Sequence, residues 1–142
     1  MDLKRYIQSH RHRVRLRDKV IKTDYGTCLW KRDGKTHRDG VLPAVVWPYG
    51  IVEWWRDGDR HRDDDQPAVL HPSGTKIWYN HGKEHRFLDK PALVYGDGTS
   101  FWFSYGRLHR NNERPAVIRP CGMLDWYRDG IHYKRVTPTV HL

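Results

Sequence analysis

Residues 47–70 read WPYGIVEWWRDGDRHRDDDQPAVL, and the reading of this stretch decides the fold. Ile51 to Arg56 is rich in β-branched and aromatic residues and reads as a strand. Asp57-Gly58 punctuates it, because glycine reaches positive φ without steric cost. The segment from there through Gln66 is too polar for a core. Pro67-Ala68-Val69-Leu70 is a second short strand, with proline first, where no ladder donor is needed. Pro48-Tyr49-Gly50 before the unit and Pro72-Ser73-Gly74 after it read as tight turns. One unit is therefore a strand, a longer loop, a second strand and a turn.

The unit recurs with a step of 24 residues. Gly26, Gly50, Gly74, Gly98 and Gly122 hold one column; Trp30, Trp54, Trp78, Trp102 and Trp126 hold another. The pairs His37-Arg38, His61-Arg62, His85-Arg86 and His109-Arg110 keep the step, as do Pro43-Ala44, Pro67-Ala68, Pro91-Ala92 and Pro115-Ala116. A period of this length marks stacked repeats, none of which buries its apolar face alone. The spacing predicts five repeats, at 23–46, 47–70, 71–94, 95–118 and 119–142, the last an atypical cap with one residue missing after Gly130. Residues 1–22 form a basic arm or capping strand ahead of them. No apolar stripe of period 3.6 runs beyond a turn, so the expected class is all-β: one elongated domain, an antiparallel meander of about ten short strands in stacked hairpins.

These columns resemble the MORN family of β-hairpin repeats, whose motif is close to Gly-x-Trp-x-x-Gly-x-x-His-Gly. Here the run is Gly26-Thr27-Cys28-Leu29-Trp30-Lys31-Arg32-Asp33-Gly34-Lys35-Thr36-His37. Trp and Gly stand one residue further apart, and Arg38, Arg62, Arg86 and Arg110 follow the histidines in place of glycine. This is similar to the divergent form in arrays of large DNA viruses and bacteriophages. The resemblance implies a binding or scaffolding role without catalysis by the repeats.

Composition agrees with a thin fold. Seven Trp and eight Tyr bury much area from few positions, about 150–250 Å² each. Cys28 and Cys121 lie in different repeats and fit neither a zinc site nor a disulfide framework. No apolar run is long enough to span a bilayer, and the first 22 residues lack a signal peptide's apolar stretch, so a soluble, intracellular protein is expected, in host cytoplasm or virion for a viral member. The formal charge is +9, of which residues 1–22 carry eight Lys or Arg against two Asp, a net of +6.

The indole column is expected to pack on Ala44, Ala68, Ala92 and Ala116. Trp55, Tyr79, Phe103 and Tyr127, one position on, then face the other way. Either the sheet curls over that strip or the strip is an interface, and a homodimer through it, or an array edge, follows from the second alternative. The His-Arg ladder admits anion binding, but the acids at 39, 63, 65, 89 and 113 favour fastening of the long loops, with histidine donating to a backbone carbonyl. Arg11, Arg13, Arg15 and Arg17 alternate and offer a phosphate-backbone contact or a charged edge strand. Catalysis needs a unique acid, base or nucleophile, and four equivalent copies supply none. No catalytic residue, cofactor or metal is expected. An interaction scaffold with an unknown protein partner leads; nucleic-acid binding through the arm is the alternative and an enzyme comes third.

Overall fold

The computed structural model of the chain describes residues 18–139. Among these residues it is all-β and antiparallel, without helices. Twelve strands form one sheet. Asp18–Lys22 lies at one edge beside Cys28–Arg32, which also pairs with the short Lys35–Thr36. Then come Val45–Val46, Val52–Glu53, Val69–Leu70, Lys76–Ile77, Leu93–Val94, Ser100–Phe101 and Val117–Ile118, each beside the next. Leu124–Arg128 and Ile131–Val136 close the far edge.

Each interior repeat adds a small ribbon outside this sheet. Trp55–Arg56 pairs with Asp59–Arg60, Tyr79–Asn80 with Lys83–Glu84, and Phe103–Ser104 with Arg107–Leu108. The strand expected over 51–56 is thus broken at Trp54, and the first residues of the expected loop are a return strand. Trp54 is where the ladder changes partner. Its N–H donates to the Ala68 carbonyl at 2.8 Å, and its own carbonyl accepts from His61 N–H at 3.1 Å. The same exchange recurs at Trp30, Trp78 and Trp102. Asp57 and Gly58 have φ of 51° and 96°, the two left-handed residues that a type I′ hairpin requires. The other turn is of a different kind. Gly50 N–H bonds the Trp47 carbonyl at 3.0 Å and Gly50 has φ 85°, a type I turn closed by a left-handed residue.

Both ends of the sheet are finished by longer hairpins. Val20 and Ile21 stand opposite Trp30 and Leu29, the places that Ala44 and Val45 take on the other side of that strand. At the far end Lys134 pairs with Trp126 and its ammonium lies 4.5 Å from the indole centroid. Lys134 therefore takes the arginine column at the full 24-residue step. No residue is missing after Gly130; the fifth repeat differs by a bulge between Trp126 and Tyr127.

Candidate functional site

The two faces of the sheet have different fates. On the first, Ala44, Ala68, Ala92 and Ala116 are 0% exposed, and Trp54, Trp78 and Trp126 are 8–9% exposed. A larger residue than alanine would leave no room for an indole here. Each indole also holds the loop of the repeat before it. The Nε1–H groups of Trp54, Trp78, Trp102 and Trp126 donate to the carbonyls of Val41, Asp65, Asp89 and Glu113 at 2.8–2.9 Å. The loops are drawn over the Trp face by these bonds.

The arginine of each pair closes the same face. Arg38, Arg62, Arg86 and Arg110 lie 3.6–4.0 Å from the centroids of Trp30, Trp54, Trp78 and Trp102. Each donates to the proline carbonyl five residues on. A guanidinium stacked on an indole is worth about 0.5–2 kcal/mol. The carboxylates come from the preceding repeat: Asp65 receives Arg86 and Lys90, and Asp89 receives Arg110 and Arg114, at 2.6–3.0 Å. These guanidinium bonds hold both carboxyls below the usual aspartate range. Val41 stands where Asp65 and Asp89 stand in later repeats, and Arg62, whose basicity burial lowers, relies on Trp54 and the Pro67 carbonyl.

The histidines fasten differently from the expectation. Nδ1 of His37, His61, His85 and His109 accepts a backbone N–H of the next repeat, from Asp57, His81, Tyr105 and Asp129, at 3.0–3.4 Å. At His61 and His109 Nε2 then carries the proton; at His37 the same nitrogen also lies 3.0 Å from Arg32 Nη1. Nε2 reaches Asp39, Asp63 or Asn111, two residues on, at 2.8–2.9 Å. At three of the four a side-chain oxygen stands in place of the expected backbone carbonyl. The exception is His85, whose second residue on is Phe87.

The opposite face carries Trp55, Tyr79, Phe103 and Tyr127, each half-buried. It also carries two carboxylates that sequence reasoning missed. Glu53, 4% exposed, receives Trp47 Nε1 at 3.0 Å, Trp55 Nε1 at 2.7 Å and Arg60 Nε at 3.1 Å. Asp125, 0% exposed, receives Arg119 and Arg135 at 2.5 Å and His132 at 3.3 Å. Both occupy the column of Ile77 and Phe101, so the signal was present: an acid in an otherwise apolar column. Burial of an unpaired carboxylate is prohibitive, so each acid arrives with its cations and indoles. Burial pushes the Tyr79 hydroxyl above its usual range, and that hydroxyl donates to Glu84 at 3.1 Å.

Arg11, Arg13, Arg15 and Arg17 lie outside the described residues. Among the described residues no cluster of three or more His, Cys, Asp or Glu is placed to hold a metal, and no helix is long and apolar enough to cross a membrane. One further strained point stands out. Leu88 has φ 62°, a region that costs a branched residue about 1–2 kcal/mol. Asp64 and Asn112 hold the matching places at φ 59°. Leu88→Asn should therefore raise stability by about 1 kcal/mol, read as a higher urea midpoint; a lower midpoint would mean that Leu88 packs in the folded chain. No family model, curated protein or solved structure matches the chain.

Proposed function

We propose that the chain is a MORN-like repeat protein that acts without catalysis as an interaction or scaffolding module, and that it pairs with a second copy of itself. The observation that carries this reading is the inequality of the two faces. The loops fold to the Trp side, each tied to an indole; on the other face Trp55, Tyr79, Phe103 and Tyr127 stay half-buried, with the Arg60 guanidinium over Trp55 and Tyr79. Trp47 and Tyr95 on the same face are 39% and 44% exposed. A row of aromatic side chains flanked by exposed Trp and Tyr is the composition of an interface. Like surfaces meeting through a two-fold axis give a closed pair.

Sedimentation at about micromolar concentration tests the reading. The expected result is a dimer that Phe103→Glu converts to a folded monomer, because a glutamate in the strip would be buried unpaired. A monomer for the unaltered protein at every concentration would overturn self-association.

A second reading rests on the charge of +6 in residues 1–22: contact with a nucleic-acid backbone, which reads charge and not sequence. It calls for oligonucleotide binding that weakens steeply with salt and is lost when the four alternating arginines of that segment are replaced.

A further inference from the structure

The third repeat breaks the pattern of the others at one loop. Asp39, Asp63 and Asn111 each give an oxygen to the imidazole two residues earlier; Phe87 gives none. His85 Nδ1 accepts the Tyr105 amide at 3.4 Å, so Nε2 is the protonated nitrogen. It is shielded from solvent and has no hydrogen-bond partner among the described residues. The rings of Phe87 and Tyr105 flank the imidazole at 4.5 and 4.1 Å. Burial lowers its basicity, opposed in part by the Phe103 backbone. Phe87 and Leu88 are themselves 59% and 83% exposed. Beside them a groove of 280 Å³ runs between the loops of the third and fourth repeats, bordered by Leu88, Lys90, Phe103 and Arg110.

An exposed apolar pair, a leucine in the left-handed region and a donor without an acceptor all coincide here. Asparagine at both positions, as at Asn111-Asn112, would remove all three. Strain of this sort is held where the surrounding structure uses it. The local charge names the sign of the ligand. Arg86 and Lys90 share Asp65, and Arg110 and Arg114 share Asp89. The groove is lined by Arg86, Lys90 and Arg110 against the single carboxylate of Asp89.

We propose that this loop docks an acidic, apolar peptide segment of a partner protein. An aliphatic or aromatic side chain of the segment packs on Leu88 and Phe87. A neighbouring carboxylate enters the groove beside Lys90 and Arg110, and as the Phe87 ring turns outward it becomes the acceptor for His85 Nε2–H that the other repeats carry in their own chain. The apolar docking residues Phe87 and Leu88 lie outside the aromatic strip, which the groove meets at Phe103.

Fluorescence anisotropy with a labelled Glu-Leu-Glu-Phe-Glu peptide tests it, against a counterpart with lysine in place of each glutamate. The acidic peptide should bind at least about tenfold tighter than the basic one, and Phe87→Asn with Leu88→Asn should weaken it at least about tenfold. The double variant installs the residues of the fourth repeat, so thermal unfolding at or above the wild-type midpoint separates lost binding from lost folding. Equal affinity for the two peptides, equal affinity of the variant, or no binding up to about 1 mM overturns the proposal. Sedimentation of the same samples reads self-association separately, so either idea can fail alone.

Discussion

Trp78→Ala should destabilise the protein by about 3–5 kcal/mol, the cost of a large cavity in a packed site. Three losses coincide at this residue. The indole is 8% exposed against Ala68 and Ala92, which are fully buried. Its Nε1–H holds the Asp65 carbonyl at 2.9 Å, and its ring carries the Arg86 guanidinium at 3.9 Å. Because Asp65 also receives Arg86 and Lys90, the loop of the second repeat should loosen along with the third. Trp78→Phe separates these effects. It keeps a ring beneath Arg86 but loses the Nε1 bond and leaves part of the indole volume empty, so about 1–3 kcal/mol should go. Urea unfolding measures both. A loss under about 1 kcal/mol for the alanine variant would mean that the Trp column is not the packed face.

Asp125→Asn should lower stability by about 2–3 kcal/mol at neutral pH, since two charge-assisted bonds to a fully buried carboxylate become weak ones. Arg119 and Arg135 keep enough exposure to turn toward water, which limits the loss. The contrast is Asp63→Asn, where both partners of the Arg56 pair are half exposed and about 0–1 kcal/mol is expected. The two variants should differ in acid as well. The Arg135 and Arg119 guanidiniums hold the Asp125 carboxyl well below the usual range. A depressed native value gives stability that is fully present above the unfolded aspartate value, near 4. It is lost as pH falls from there through the native value. The gap in urea midpoint between wild type and Asp125→Asn should therefore be full at pH 7 and shrink below about pH 4. A gap that stays constant into acid would show that the charge of Asp125 is not what stabilises the fifth repeat.

Much of the fold was legible because its signals are local. Pro48-Tyr49-Gly50 and its copies carry their turn geometry within a few residues, and alternation places the Trp and Trp55 columns on opposite faces without any tertiary information. The small ribbons were not legible. Asp59–Arg60, Lys83–Glu84 and Arg107–Leu108 are polar, so a segment with no apolar alternation read as loop, although Asp57-Gly58 is a strong hairpin turn. Their stability comes from the preceding repeat: Gly82 N–H bonds the Arg60 carbonyl at 3.0 Å and Gly106 N–H the Glu84 carbonyl at 2.9 Å.

The fastening role of the His-Arg ladder could be read from its recurrence, but its partners could not. Asp65 lies three residues after Arg62 yet binds Arg86, and the histidines accept amides 20 residues on instead of donating to carbonyls. Such contacts link one repeat to the next. The sequence by itself determined the period, the turns, the all-β class and the two-faced strand, because turn residues and alternation act over a few bonds. Only the tertiary structure decided which repeat supplies each partner, that the Trp face is the covered one, and that Glu53 and Asp125 replace apolar neighbours in a buried column. Those outcomes depend on how far one hairpin is offset against the next, a register that a column of identical residues repeats but does not specify.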